Sequence, residues 1–280
     1  MTYSELRDLF RQTLAPLYPP EELRAIFHLY VESRYELLPA FLYLNLNSPL
    51  PPVGHPMEDL QRLADGEPIQ YVLGTATFCD MELHVDPAVL IPRPETAELV
   101  NKIAHENTGR RKVKILDLGT GSGAIAIALA RKLPGSEVWA CDISAAALRA
   151  ARLNAETQNA DITFFQWDIL TEIPPQLHAF DILVSNPPYI PESEKSTMHR
   201  NVTAHEPATA LFVPDDNPLI FYQRICEIGQ KVLRFGGKIH VEIHEAFARE
   251  TVALFQQMQY QNVEVIQDLN GKDRIVTGEL

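Results

Sequence analysis

Two consecutive prolines, Pro187 and Pro188, follow a mostly apolar run at 180–185 and limit what this part of the chain can fold into. The run is typical of a buried strand. Neither proline can donate a backbone N–H to a sheet, so the strand must end there. Asn186 and Tyr189 flank the pair. Because ligands bind at the carboxyl ends of strands in open α/β sheets, this tetrapeptide is a candidate catalytic element. A proline-rich turn capped by Asn186 is the alternative.

A glycine-rich turn separates a second apolar run, 113–118, from an alanine- and isoleucine-rich segment at 124–130 that is typical of a helix. Glycines let a backbone turn tightly and approach a ligand closely. The helix start that follows offers free N–H groups and the positive end of the helix dipole. The pattern predicts a cofactor loop that consists of Asp117, Gly119, Thr120, Gly121, Ser122 and Gly123.

Asp142 ends the next predicted strand, 19 residues after Gly123. That spacing suits a carboxylate that accepts hydrogen bonds from the ribose hydroxyls of a nucleoside. The glycines also satisfy the dinucleotide fingerprint in its Gly/Ala form, so the turn alone leaves a nicotinamide dinucleotide open. Asp117 would repel a pyrophosphate but could meet an ammonium group. Together with the tetrapeptide at 186–189, Asp117 favours S-adenosylmethionine as the cofactor.

Trp167 and Asp168 end the third predicted strand. We expect the indole to pack on the adenine of the cofactor and the carboxylate to accept from its exocyclic amine. An ordinary core aromatic is the alternative for Trp167. Arg93 and Glu95 have two interpretations, a contact to the donor or substrate and an ion pair at a helix start.

Four stretches together match one known family: 66–72 with Gly74 and Phe78; 89–96 with Leu99 and Val100; the loop at 117–123 with Asp142; and 186–189 followed by Glu206, Pro207, Ala210 and Leu211. From about residue 66 onwards the chain resembles the HemK/PrmC protein-(glutamine-N5) methyltransferases. DNA adenine methyltransferases also have the tetrapeptide, whereas the IPRPET element at 91–96 points to the protein enzymes. The chain departs from the family at Ala97, where an acidic residue is usual.

The resemblance implies a Rossmann-like class I methyltransferase with a seven-stranded, mostly parallel sheet. It implies that a methyl group passes from S-adenosylmethionine to the N5 amide nitrogen of a glutamine in peptide chain release factors, within a GGQ-type motif, which tunes translation termination. S-adenosylhomocysteine is the implied product. Amino-methylation of a DNA or RNA base by the same tetrapeptide is one alternative, and a non-catalytic donor-binding module is another.

The tetrapeptide predicts how such a reaction is catalysed. A glutamine nitrogen is a poor nucleophile because its lone pair is shared with the carbonyl group. We expect the Asn186 side-chain oxygen and the Pro187 carbonyl each to accept one N–H of the target amide, with Tyr189 walling it and Pro188 stiffening the loop. Positioning of this kind supplies roughly 7–11 kcal/mol of barrier reduction.

Composition limits the partners and the compartment. The formal net charge of −13 argues against direct nucleic acid binding, which needs a basic face. No apolar run is long enough for a membrane span, and the start of the chain lacks a signal-peptide pattern. Three cysteines without CxxC spacing indicate a reducing compartment and no structural zinc site. We therefore expect a cytoplasmic enzyme without a metal.

The order of patterns predicts three regions: a helical bundle at 1–70 that docks the substrate, a β-hairpin linker at 71–92, and the methyltransferase domain at 93–280. Helical spacing of apolar residues marks the first region. The predicted hairpin runs from Tyr71 to Val85. Strands alternate with helices from residue 112, and the last two strands are joined as a hairpin, so the sheet should be mostly parallel. The seven predicted strands lie near 113–118, 137–142, 162–167, 180–185, 238–244, 262–268 and 273–278.

Overall fold

A computed structural model describes residues 1–110 and 112–280 of the chain. They form two compact units, Met1–Thr75 with His199–His205, and Ala76–Met198 with Glu206–Leu280. The segment at 199–205 thus groups with the N-terminal helices, and the domain boundaries stay a prediction. In chain order the helices and strands are α1 (Tyr3–Leu14), α2 (Pro20–Tyr35), α3 (Pro39–Leu42), α4 (Pro56–Ala64), α5 (Ile69–Leu73), β1 (Thr75–Phe78), β2 (Met81–His84), α6 (Pro94–Glu106), β3 (Lys114–Leu118), α7 (Ala124–Lys132), β4 (Glu137–Asp142), α8 (Ala145–Thr157), β5 (Ile162–Gln166), β6 (Phe180–Ser185), β7 (Ile190–Pro191), α9 (Arg200–His205), β8 (Phe212–Val213), α10 (Ile220–Val232), β9 (Leu233–Glu242), α11 (Ala248–Gln257), β10 (Gln261–Gln267) and β11 (Asp273–Glu279).

The N-terminal unit is helical, as the sequence predicts. Its first helix, α1, begins with a capping box in which the Thr2 hydroxyl accepts from the Glu5 N–H at 3.2 Å. The Glu5 carboxylate accepts from the Thr2 N–H at 2.8 Å in return. Leu6, Phe10 and Leu14 recur at helical spacing and are fully buried, so this stripe of α1 faces the core of the unit.

The predicted hairpin is present but starts later than expected. β1 and β2 are joined at Cys79 and Asp80, which have φ angles of 47° and 59°, as a two-residue turn of type I′ requires. Tyr71, placed on the first arm by the sequence, belongs instead to α5. That helix stops at Gly74, whose φ of 79° gives the left-handed cap that commonly ends helices. The expectation that the strand starts at Tyr71 is therefore wrong.

A seven-stranded sheet forms the centre of the second unit, with the strand order β10-β11-β9-β6-β3-β4-β5. β11 runs opposite to the other six strands of this sheet, so the predicted terminal hairpin and mostly parallel sheet are confirmed. β9 begins at Leu233, five residues before the prediction. A register shift between Phe180 and Ile182 of β6 accommodates Gly236 and Gly237 within β9. The short pair β7 and β8 was not predicted.

Helices cover both faces of the sheet. One hydrophobic cluster packs α6, α7 and α8 against the sheet, and a second packs α10 and α11 against the other face. Burial on both sides explains why the parallel strands are nearly continuous apolar runs rather than alternating ones. None of the helices in the described part of the chain is long and apolar enough to cross a membrane.

The order of the strands locates the binding crevice. The chain runs outward from β3 through β4 to β5, and then returns to the other side of β3 as β6. Such a reversal opens a crevice between β3 and β6 at their carboxyl ends. Ligands bind at this place in sheets of this kind. The glycine turn and the tetrapeptide at 186–189 both begin there.

Gly123, directly before α7, offers a test of the packing at this crevice. Its φ is 82°, and an added Cβ would lie 3.0 Å from the Ile127 side chain and 3.2 Å from that of Ala151. Gly135 has the same backbone strain, with φ of 83°, but an added Cβ meets nothing within 4 Å. In both alanine variants the free energy of unfolding should fall by ~1–2 kcal/mol, because alanine is strained in the left-handed conformation. Gly123→Ala should lose at least about 1 kcal/mol more, because it also overpacks the α7–α8 contact.

Urea denaturation of the two variants and the wild type measures this difference in the free energy of unfolding. Equal losses in the two variants would show that the α7–α8 contact adjusts without cost.

Candidate active site

A cavity of about 620 Å³ opens at the carboxyl ends of β3, β4, β5 and β6. Its walls come entirely from the second unit. Most of the predicted site residues line it. Asp117, Gly123 and Tyr189 are described by the structure but are not among the lining residues. The predicted residues that do line the cavity are Gly119, Thr120, Gly121, Ser122, Asp142, Trp167, Asp168, Asn186, Pro187 and Pro188.

Strand register brings the two main sequence elements together. Leu118, the last residue of β3, pairs with Ser185, the last residue of β6. The Ser185 hydroxyl also donates to the Leu118 carbonyl at 2.7 Å. The residues that follow, Gly119 and Asn186, therefore leave neighbouring strands at the same level and both face the cavity.

The glycine loop is held by backbone bonds and leaves space in front of it. The N–H groups of Gly119 and Thr120 both donate to the Cys141 carbonyl at 2.9 Å. A Cβ added at Gly119 or Gly121 would meet nothing within 4 Å. These two glycines thus present bare backbone to the cavity, as close approach of a ligand would require.

Asp117 lies under this loop and is completely buried. Its Oδ2 accepts from the Thr120 hydroxyl at 2.6 Å, while Oδ1 has no hydrogen-bond partner among the described residues. Burial raises the pKa of Asp117 to about 7, although the Thr120 bond acts in the opposite direction. In this position Asp117 shapes the loop from below, and its contact with a ligand stays a prediction.

Asp142 ends β4 and lines the cavity. Its two oxygens accept from the Gly121 N–H and the Ser144 N–H, each at 2.9 Å. Burial raises the pKa of this carboxyl, and the backbone bonds oppose the rise. The carboxylate thus ties the glycine loop to the start of α8. A contact with ribose hydroxyls stays a prediction.

Trp167 and Asp168, expected to end the third strand, lie directly after β5, and both line the cavity. The Trp167 indole N–H donates to the Glu172 carbonyl at 3.1 Å, and its ring stacks on Phe165 at a centroid distance of 6.3 Å. Asp168 accepts from the Leu170 N–H at 2.9 Å. Trp167 is therefore a buried aromatic that also lines the cavity, and its contact with adenine stays a prediction.

The Asn186 carboxamide is the end of a hydrogen-bonded chain that the sequence did not predict. Its Nδ2 donates to the Thr96 hydroxyl at 3.1 Å, and that hydroxyl donates to Oε2 of Glu242 at 2.6 Å. The Tyr189 hydroxyl donates to Oε1 of the same carboxylate at 3.1 Å. Glu242 is 1% exposed, and burial raises its pKa. One buried carboxylate therefore holds both ends of the tetrapeptide.

Sequence reasoning missed Glu242 although a signal was present. Glu242 is the last residue of β9, just as Asp142 is the last of β4 and Asn186 follows β6. The strand was predicted to run to 244, so only a search that also covered the last positions inside each predicted strand would have found Glu242. Thr96 was recognised only as part of a family element, because its role depends on β9, which lies 146 residues away.

A third buried carboxylate, Glu206, is the ion-pair partner of Arg93 at the start of α6. Arg93 donates to Glu206 at 2.6 Å, and the Ile91 N–H donates to the other oxygen at 3.2 Å. The ion pair expected at a helix start is therefore present, and because Arg93 also lines the cavity, its contact with donor or substrate stays a prediction. This contact ties the element at 91–96 to the segment that begins with Glu206 and Pro207.

Comparison with known proteins agrees with this geometry. The family model "Methyltransferase small domain" matches residues 94–210. A solved methyltransferase from Pyrococcus furiosus superposes with a TM-score of 0.51 at 18% identity, covering 70% of this chain and 87% of that one. The Thermus thermophilus 16S rRNA N2 G1207 methyltransferase, in complex with AdoMet and guanosine, gives 0.52 at 19% identity, covering 73% and 49%. The fold is that of a class I methyltransferase.

Two relatives that match nearly the whole chain show which family of methyltransferases it belongs to. The release factor glutamine methyltransferase of Bacteroides thetaiotaomicron is 45% identical over 95% of this chain and 96% of its own length. The protein of the same name from Flavobacterium psychrophilum is 39% identical over 99% of this chain and 98% of its own. The chain belongs to the release factor glutamine methyltransferase family, and the dinucleotide interpretation of the glycine turn is wrong.

The buried carboxyl of Asp117 generates a prediction about pH. Its folded pKa of about 7 lies above the usual value near 4, so the folded protein binds the extra proton between these limits. Stability should therefore fall as the pH rises from about 5 to 7, by about 2 kcal/mol from this group alone. Asp117→Asn keeps an acceptor for Thr120 and removes the titration.

Urea denaturation of both proteins at several pH values between 5 and 8 tests this. As the pH rises across that range, the free energy of unfolding of the variant should increase by about 2 kcal/mol relative to that of the wild type. A constant difference between the two proteins does not affect this comparison. If the free energies of unfolding of the two proteins change in parallel with pH, the raised pKa of Asp117 is contradicted.

Proposed function

We propose that this protein transfers a methyl group from S-adenosylmethionine to the side-chain nitrogen of a glutamine in a peptide chain release factor. The observation that carries the proposal is the Asn186 carboxamide, which lines the cavity beside the open glycine loop in a chain that belongs to this family. A carboxamide is suited to an amide substrate because it can accept from one N–H and lies flat against a second planar group.

The cavity suits the donor on the side of the glycine loop. Gly119 and Gly121 have open space in front of their backbone. We assign the ribose hydroxyls to Asp142, and the adenine to Trp167 and Asp168, which line the same cavity. The chemistry that S-adenosylmethionine supplies when bound is a methyl group on a sulfonium, which departs as the neutral thioether of S-adenosylhomocysteine.

The protein's own contribution is to orient the glutamine amide. The Asn186 Oδ1 accepts one N–H of the target amide and the Pro187 carbonyl accepts the other, so both N–H vectors are held. The nitrogen lone pair is then directed at the methyl carbon. Such positioning contributes roughly 7–11 kcal/mol when the geometry is close to that of attack. A C–N bond forms as the C–S bond breaks, and the nitrogen then releases one proton to water.

The same proposal includes the protein substrate, the cellular compartment and a reaction that needs no metal. The substrate is a release factor, and we place its docking surface on the helices at 1–70. The enzyme works in the cytoplasm, where Cys79, Cys141 and Cys226, all unpaired, stay reduced. Within residues 1–110 and 112–280 no group of His, Cys, Asp or Glu side chains gathers as a metal site would require. That the reaction needs no metal stays a prediction.

A labelled-methyl assay tests the proposal. With S-adenosylmethionine labelled on its methyl group, label should enter a release factor and be located on a single glutamine nitrogen by mass spectrometry. A release factor with that glutamine replaced by alanine should stay unlabelled. Label in a DNA or RNA substrate instead would support base methylation, and label in none of these substrates would support a donor-binding module.

Asn186→Ala tests the assigned role of the carboxamide. Transfer should fall by at least about a hundredfold, because a well-oriented hydrogen bond made in the transition state is lost. Donor affinity, measured by calorimetry, should stay within about threefold. Asn270→Ala, at an exposed turn between β10 and β11, is the matched control and should behave as the wild type. Loss of donor binding with normal turnover at saturation would refute the assignment.

A further inference from the structure

We propose that Thr96 and Glu242 are positioning residues that set the direction of the Asn186 carboxamide and thereby make the site select glutamine over glutamate. The inference rests on the proposed function, since it concerns how the same site recognises its substrate. It assigns a role to two buried side chains that lie behind the tetrapeptide rather than within it.

The direction of each hydrogen bond follows from the number of protons available. A carboxylate such as Glu242 has only acceptors, and the Thr96 hydroxyl, 2.6 Å away, has a single proton to give. Once that proton points at Glu242, the Thr96 oxygen can only accept. The Asn186 group that approaches it at 3.1 Å must therefore be the Nδ2 donor.

The second oxygen of Glu242 strengthens this direction. It accepts from the Tyr189 hydroxyl at 3.1 Å, so the carboxylate receives two donated bonds. Burial raises the pKa of Glu242, while the bonds from Thr96 and Tyr189 and the positive charge of Arg274 favour its ionised form. Because both oxygens of Glu242 accept hydroxyl protons in the structure, this side chain is the fixed acceptor that sets the direction of the hydrogen bonds from Thr96 and Tyr189.

Burial makes the opposite direction of the carboxamide costly. Thr96 is 4% exposed and Glu242 is 1% exposed, so water is not available to satisfy a misdirected group. If Asn186 turned its carboxamide over, its Oδ1 would face the lone pairs of Thr96 with no proton between them. A buried acceptor without a donor is disfavoured by about tenfold or more.

The consequence for the substrate is a choice between two similar side chains. With Nδ2 turned to Thr96, the oxygen of Asn186 faces the cavity that Asn186 lines. A glutamine amide brings N–H donors to that oxygen, whereas a glutamate carboxylate brings only lone pairs and a negative charge. A reversed carboxamide would present N–H groups to the cavity and could donate them to a glutamate carboxylate. The direction of Asn186 is therefore a specificity device.

Replacing the hydroxyl tests the inference. Thr96→Val keeps the shape of the side chain and removes its proton and lone pairs, so Asn186 is free to turn over. The measurement is the ratio of two quantities: the inhibition constant of a release factor carrying glutamate at the target position, and the KM of the glutamine form. We expect this ratio to fall by about tenfold or more in Thr96→Val. The kcat should also fall, with the donor dissociation constant unchanged.

Matched variants separate orientation from general damage. Thr96→Ser retains the hydroxyl and should restore the wild-type ratio, while Thr96→Ala should repeat the loss and replaces the valine variant if that protein does not fold. Glu242→Leu removes the acceptor and releases the Thr96 proton towards Asn186, so it should lower the ratio as well. Both substitutions act on the orientation of the Asn186 carboxamide. The fall in the ratio should therefore be much smaller in the double variant than the product of the two single falls.

The outcomes are distinct from those for the proposed function. If the wild type does not methylate a release factor, the proposed function fails. If the wild type methylates it and rejects the glutamate form, but folded Thr96→Val or Thr96→Ala keeps the wild-type ratio, the function stands and the positioning role is refuted.

Discussion

The parallel pairing of β3 with β6 is the constraint on which the site depends. Leu118 and Ser185 end these strands opposite each other, and the Ser185 hydroxyl bonds across to the Leu118 carbonyl. The glycine loop and the tetrapeptide are far apart in the sequence, yet this single register places them on one cavity. A slip of one residue would turn every side chain of β6 to the other face of the sheet, which is buried too. Packing on both faces therefore protects the geometry of the site.

Three buried carboxylates, Asp117, Glu206 and Glu242, stabilise the loops around the cavity. Each receives hydrogen bonds from a segment that contributes residues to the cavity: the glycine loop, the element at 91–96, and the tetrapeptide. Burying a carboxylate is costly unless donors surround it, so each one demands a defined loop conformation. The buried acidic groups thus help to fix the shape of the site.

Much of the fold and part of the site could be predicted from the sequence, because the signals there are local. Asp142, Asp168 and Asn186 were found by one rule, a polar residue where a buried strand ends. Glu242 escaped this rule because the strand predicted at 238–244 extends past it, whereas β9 ends at Glu242. The hairpin start was wrong because a helical turn as short as α5 has too little periodicity to distinguish it from a strand, and Gly74 was read as part of a hairpin rather than as a helix cap.

The sequence by itself determined where strands stop, where the backbone can approach a ligand and which family the chain resembles, since prolines, glycines and apolar periodicity act on their immediate neighbours. Only the tertiary structure decided that Asp117 lies beneath the loop, that Arg93 pairs with Glu206, and which way the Asn186 carboxamide points. The physical reason is that hydrogen-bond direction depends on the partner. The partners of Asn186 come from α6 and β9, which the fold alone brings together.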